Sequence, residues 1–270
     1  MHFFSVPSTI QRLITSCIWR KNVSEKIIYL TFDDGPHPRI TPWVLTELSK
    51  HDAKATFFCV GDNIRKFPEI CEATVAAGHL LANHTMHHIK GWRTSNQDYL
   101  KDIQDCELQL SYIHNATASN DVSMSSKGSE SNRPAKKLFR PPYGQIKPSQ
   151  IQALKALGYE VIQWSNLSCD YDPKLNVSKS LKALLSESTS GSIVVFHDSE
   201  KAEHQLMWLL PNYLEAMTEQ GYTFEVLPWQ VFGQLRKPTL GSVSFTWLGW
   251  CILWHSDFLR IAKKDGLERP

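Results

Sequence analysis

Short apolar runs rich in β-branched and aromatic residues recur along the chain, and most are followed by a stretch whose apolar residues return every three or four positions. The runs Ile27–Phe32, Ala55–Val60, His79–Asn83, Leu138–Arg140, Tyr159–Trp164, Ser192–His197 and Thr223–Leu227 read as strands. Helical spacing places helices near 41–50, 68–77, 96–114, 148–157, 177–187 and 204–220. The 96–114 segment shows the logic: Ser95 and Asp98 can cap its start, and Tyr99, Ile103, Cys106, Leu110 and Ile113 fall on one stripe. Leu206, Leu210, Tyr213 and Met217 do the same in the last helix. Strands alternating with helices predict an α/β domain around a parallel sheet, either open or closed into a barrel. Both forms gather functional groups where strands end and loops begin.

Three stretches stand outside this alternation. In residues 1–25, Ile10, Leu13, Ile14, Cys17 and Ile18 follow helical spacing after a Ser8–Gln11 capping box, which predicts an amphipathic N-terminal extension. Residues 115–137 are polar and Ser- and Asn-rich, so they read as a surface insertion in a domain spanning 26–227. The tail 228–270 carries Trp229, Trp247, Trp250 and Trp254. Its apolar stretch Val243–Trp254 is too short to span a bilayer and reads as a terminal helix packed on the domain. Tryptophans near Arg260, Lys263 and Lys264 also suit a headgroup layer, so peripheral membrane contact through the terminal segments is the alternative.

The composition narrows the class. A chain of 270 residues, 42% hydrophobic and 21% charged, supports a buried core and excludes a wholly disordered or fibrous protein. Its 29 basic and 27 acidic residues leave +2, which offers no field for gripping nucleic acid. Six cysteines without a C-x-x-C pair read as buried thiols of a reducing compartment. No apolar window reaches the ~18 residues of a membrane span. Pro7, Ser8, Thr9 and Gln11, with Arg12 in the middle, break the form of a cleavable signal. A cytoplasmic or peripherally membrane-associated protein is expected.

Candidate chemistry clusters where strands end. Asp33 and Asp34 close the first strand before a Gly35-Pro36 break, and two carboxylates in different surroundings can divide into a metal ligand and a base. His84 and His88 have the spacing that puts two imidazoles on one side of a helical turn, and with Asp34 they can make an Asp-His-His metal site, the alternative being an ordinary Asp-Gly turn at Asp34. His87 reads as a surface or supporting residue. Arg140-Pro141-Pro142-Tyr143-Gly144 is rigid, so it can present the Tyr143 N–H while Arg140 pairs with a pocket carboxylate. Asp170 and Asp172 flank Tyr171, and a fully apolar strand delivers His197 at its end, followed by Asp198.

The order TFDDGP, HTxxH, RPPYG, a Trp–Asp segment and a strand ending in His resembles the polysaccharide deacetylase family, also called carbohydrate esterase family four or the NodB-homology domain. The resemblance covers residues 26 to about 227. It implies a distorted (β/α)7 barrel and a hydrolase that removes N-acetyl groups from N-acetylhexosamine units of a glycan, peptidoglycan or chitin-like. The alternatives within its reach are an O-acetyl esterase on xylan and a non-catalytic glycan-binding relative. It further implies that Asp34, His84 and His88 bind one divalent metal ion, commonly zinc, with cobalt or another late first-row ion as substitutes. Asp33 would be the general base, held by Arg140; the Tyr143 N–H would join the oxyanion hole; and His197 would be the general acid, with Asp170 setting its charge. Leu167 stands where many members have an Asp, and Tyr171 replaces the usual Trp.

Overall fold

The computed structural model describes residues 4–120 and 137–228. Its strands are β1 (Ile27–Asp33), β2 (Ala55–Cys59), β3 (Leu80–Asn83), β4 (Lys137–Phe139), β5 (Tyr159–Val161), β6 (Asn166–Leu167), β7 (Ile193–His197) and β8 (Thr223–Phe224). They form one curled sheet in the order β5-β4-β3-β2-β1-β7-β6, with β8 paired to β1, and every strand pairing is parallel. The helices are α1 (Ser8–Leu13), α2 (Ile40–Ser49), α3 (Gly61–Lys66), α4 (Pro68–Ala76), α5 (Asn96–Asn120), α6 (Pro148–Ala156), α7 (Val177–Glu187) and α8 (Glu203–Glu219). The architecture is the expected distorted (β/α) barrel.

Strand β1 reads as nearly continuous apolar sequence because both of its faces are covered. Ile28, Leu30 and Phe32 join the core shared with Ile40, Val44 and Leu48 of α2 and Leu206, Leu210 and Tyr213 of α8. Phe32 stacks on Phe57 with ring centroids 5.0 Å apart. The alternate residues Thr31 and Asp33 turn to the other face, where both meet the Arg140 guanidinium. In α5 the stripe Tyr99, Ile103, Cys106, Leu110 and Ile113 is buried, each aliphatic residue contributing roughly 1.5–3 kcal/mol. The Ser95 hydroxyl accepts the Asp98 N–H at 3.1 Å, as the cap reading requires.

The N-terminal segment departs from expectation. Helix α1 stops at Leu13, which is exposed, and Ser8–Gln11 makes no cap hydrogen bond; the cap residue is Pro7. The following chain is extended: the Ile18 N–H donates to the Val161 carbonyl and the Gln163 N–H to the Ile18 carbonyl. Nearer the start, the Leu167 N–H donates to Phe4 and the Val6 N–H to Ser165. The β5 and β6 ends of the sheet carry backbone groups that need partners, and satisfying them outweighs extending a helix too short to be stable alone.

Three smaller differences have local causes. The β5 run stops at Val161 because Gln163 turns toward Ile18. Helix α5 continues to Asn120, so the first polar residues of the 115–137 segment prolong it. Elements α3 and β6 were not expected, being too short to show a period. Residues 121–136 and the Trp-rich tail, with Trp229, Trp247, Trp250, Trp254 and Cys251, lie outside the described residues. Cys17, Cys59, Cys71, Cys106 and Cys169 are buried and carry no disulfide. Among the described residues, no helix is long and apolar enough to cross a membrane.

Candidate active site

Parallel strands share a direction, so their C-terminal ends meet at one end of the sheet. Asp33 and His197, the last residues of β1 and β7, are register partners on neighbouring strands. His84 follows β3, Arg140 follows β4, and Asp170 lies just beyond β6. Asp34, His88 and Tyr143 follow in the loops after β1, β3 and β4.

Asp34 leaves the plane of β1 through a left-handed backbone (φ 79°), which frees its carboxylate from the strand's alternation. Its Oδ1 lies 3.1 Å from His88 Nε2 and 3.7 Å from His84 Nε2. The two histidines do not meet across a helical turn as their spacing suggested. They lie in a loop with Thr85 (φ 67°) and His88 (φ 56°) in the left-handed region, and their rings are 5.1 Å apart. His84 Nδ1–H donates to the Arg140 carbonyl at 2.8 Å; a carbonyl can only accept, so the lone pair is on Nε2, facing Asp34. Burial pushes His84 down to about 4, so it is neutral at physiological pH. Burial would raise the Asp34 carboxyl, but the His88 hydrogen bond and the surrounding histidines hold it below the usual carboxylate range.

Donor atoms of Asp34, His84 and His88 all lie within 4.8 Å of one another. Two imidazoles, one with its other nitrogen anchored, and an ionised carboxylate fit a divalent first-row metal while leaving coordination positions open.

The neighbouring carboxylate is held differently. Asp33 is buried, and its Oδ1 accepts from Arg140 Nη1 at 2.7 Å. The fully buried guanidinium also donates to Thr31 Oγ1 at 2.7 Å and the Gln163 carbonyl at 3.1 Å, and lies 4.1 Å over the Phe58 ring. Across the site, His197 Nδ1–H donates to Asp170 Oδ1 at 2.7 Å, and the His197 backbone N–H to Asp170 Oδ2 at 2.9 Å. Burial disfavours a charged imidazole, but the Asp170 carboxylate and its hydrogen bond overcome this and lift His197 to about 9. The Tyr171 ring stands edge-on to His197 at 5.1 Å. Tyr143 adopts φ 58° in a tight turn whose hydrogen bonds are donated by Gly144 and Gln145. Its ring lies 4.7 Å from His88.

Two supporting carboxylates went unread in the sequence. Asp102 of α5 accepts the Met86 and His87 N–H groups on Oδ2 and the His87 ring on Oδ1. Asp198 accepts the Gly35 N–H. Asp198 was visible beside His197, but nothing local told of its reach to β1. Asp102 lies 14 residues beyond His88, on a helix, and no local period links it to that loop.

A family model described as polysaccharide deacetylase matches residues 20–162. A peptidoglycan-N-acetylglucosamine deacetylase of Bacillus cereus is 31% identical over 210 residues, covering 76% of this chain and 88% of the relative. A chitooligosaccharide deacetylase of Azorhizobium caulinodans is 26% identical over 216 residues, covering 76% and 94%. Among solved structures, the Bc1960 peptidoglycan N-acetylglucosamine deacetylase superposes with a TM-score of 0.68 at 26% identity, covering 82% of this chain and 96% of its own. Fold, site geometry and these likenesses converge: the chain belongs to the polysaccharide deacetylase family.

Proposed function

We propose that this protein is a metal-dependent hydrolase that removes N-acetyl groups from N-acetylhexosamine units of a glycan, peptidoglycan or chitin-like. One observation carries the reading. An Asp-His-His donor set, an arginine-held carboxylate and an aspartate-held histidine share one end of the sheet. The names of its relatives, which act on peptidoglycan and chitooligosaccharides, support the substrate class.

Asp34, His84 and His88 would hold the ion, proposed as zinc, which when bound supplies Lewis acidity toward the amide carbonyl and acidifies water. Asp33 accepts a proton from the water as it attacks the acetamide carbon, a contribution of roughly 10²–10⁴ in rate. Arg140 fixes that carboxylate through its hydrogen bond. The Tyr143 N–H donates to the developing oxyanion, where one good donor contributes about 3–4 kcal/mol. His197, kept protonated by Asp170, then gives its proton to the departing sugar nitrogen, and the C–N bond breaks to release acetate and a free amine. A non-catalytic relative would have no use for both a held base and a held acid.

The test is acetate release from chitin oligomers, peptidoglycan fragments and acetylated xylan, with and without chelator. Release from the N-acetylated glycans, abolished by chelation and restored by zinc or cobalt, is expected. Full activity in excess chelator after confirmed metal removal would sink the proposal, and release from xylan alone would replace it with O-acetyl esterase chemistry.

A further inference from the structure

The turn that presents Asp34 has four backbone groups needing partners, and one residue supplies two of them. The Asp198 N–H donates to the Asp33 carbonyl at 3.2 Å, and Asp198 Oδ1 accepts the Gly35 N–H at 3.1 Å. The Asn63 amide donates to the Asp34 carbonyl at 2.8 Å, and the Val60 N–H to the Gly35 carbonyl at 2.9 Å. The second Asp198 oxygen accepts the Thr41 hydroxyl at 2.5 Å, and Thr41 Oγ1 in turn accepts the His37 N–H at 2.8 Å. Asp198 is fully buried and lies flat against Gly35: a Cβ there would sit 2.1 Å from Asp198 Oδ2. Only glycine admits that approach.

The turn needs this support. A non-glycine residue at φ 79° is strained and persists only where its surroundings over-determine it. Relaxing Asp34 toward negative φ would swing its carboxylate away from His84 and His88.

We propose that Asp198 is a positioning residue for the metal site, a buried carboxylate that holds the 33–35 turn in the shape that sets Asp34 opposite His84 and His88. The proposal rests on the reading of Asp34, His84 and His88 as metal ligands. Asp198 contributes no donor to that set and acts through the backbone of Gly35 and the hydroxyl of Thr41.

The test measures zinc affinity of the metal-stripped full chain by competition with a chromogenic chelator, with circular dichroism verifying the fold. Wild type should bind one zinc, and Asp34→Ala should lose it. Asp198→Ala should bind zinc roughly 10–100-fold more weakly, the usual effect of removing a partner behind a ligand. Asp198→Asn keeps an oxygen for the Gly35 N–H and should stay within about fivefold of wild type. Should Asp198→Ala fail to fold, Thr41→Val, which releases the other oxygen, should weaken zinc binding severalfold. Unchanged affinity in the folded Asp198→Ala, or in Thr41→Val where the former does not fold, would overturn the proposal. So would an Asp198→Asn as weak as Asp198→Ala, which would assign the effect to charge. Wild type without zinc affinity, or an Asp34→Ala that binds like wild type, would instead overturn the ligand reading beneath it.

Discussion

Replacing Arg140 with methionine removes the partner of a buried charge at the centre of the site. The substitution removes hydrogen bonds to Asp33, Thr31 and the Gln163 carbonyl, along with the stack on Phe58. It leaves the residue-140 carbonyl in place, so His84 stays oriented. Asp33, 4% exposed, is then a carboxylate without its countercharge. Removing one partner of such a pair costs about 3–5 kcal/mol, a large share of the ~5–15 kcal/mol that stabilises an ordinary domain. Urea titrations at neutral pH should show a lower midpoint at unchanged slope, with zinc still bound. In the double variant Arg140→Met/Asp33→Asn no charge remains to bury, and about 1–3 kcal/mol should return. A single variant as stable as wild type, or a double variant no better than the single, would refute the argument.

Other consequences are open to measurement. With His197 lifted to about 9, the proton needed by the leaving nitrogen stays on the ring until pH rises through that value, so kcat should fall only there. Asp170→Asn removes the cause, and the falling limb should move to lower pH; an unmoved limb would assign it to another group. His79 accepts the Ala55 N–H on Nδ1, and burial holds it at about 4. That value lies below the unfolded one, so stability is complete above ~6.5 and falls by on the order of 2–3 kcal/mol as pH drops toward 4. His79→Asn should flatten that slope in thermal melts, and an identical slope would contradict the assignment.

The sequence showed the site more fully than the scaffold around it. Asp33, Asp34, His84, His88, Arg140, Tyr143, Asp170 and His197 were all legible because each follows or ends a strand at a break in the apolar pattern, and the fold brings these ends together. Long helices such as α5 and α8 were legible from their buried stripes. What stayed hidden acts across the chain. Ile18 pairs with Val161 and Gln163 rather than closing a helix, because open sheet ends need backbone partners that no local period reveals. The histidine pair was found from its spacing but in the wrong local shape, since the left-handed Thr85 and His88 have no glycine to mark them. Asp198 and Asp102 are ordinary acids in sequence, and their part depends on backbone N–H groups from distant segments.

The central claim is that two adjacent, chemically identical side chains divide the labour: Asp34 holds the metal and Asp33 moves the proton. The most direct measurement is zinc content together with turnover in Asp33→Asn, with Asp34→Ala purified in parallel. Asp33→Asn keeps the shape of its parent, leaves the Asp34-His84-His88 set intact and cannot take a proton at neutral pH. It should retain its zinc and lose about 10²–10⁴-fold in rate, while Asp34→Ala should lose both. An Asp33→Asn protein that arrives metal-free or turns over like wild type, or an Asp34→Ala protein that keeps its zinc, would contradict the account.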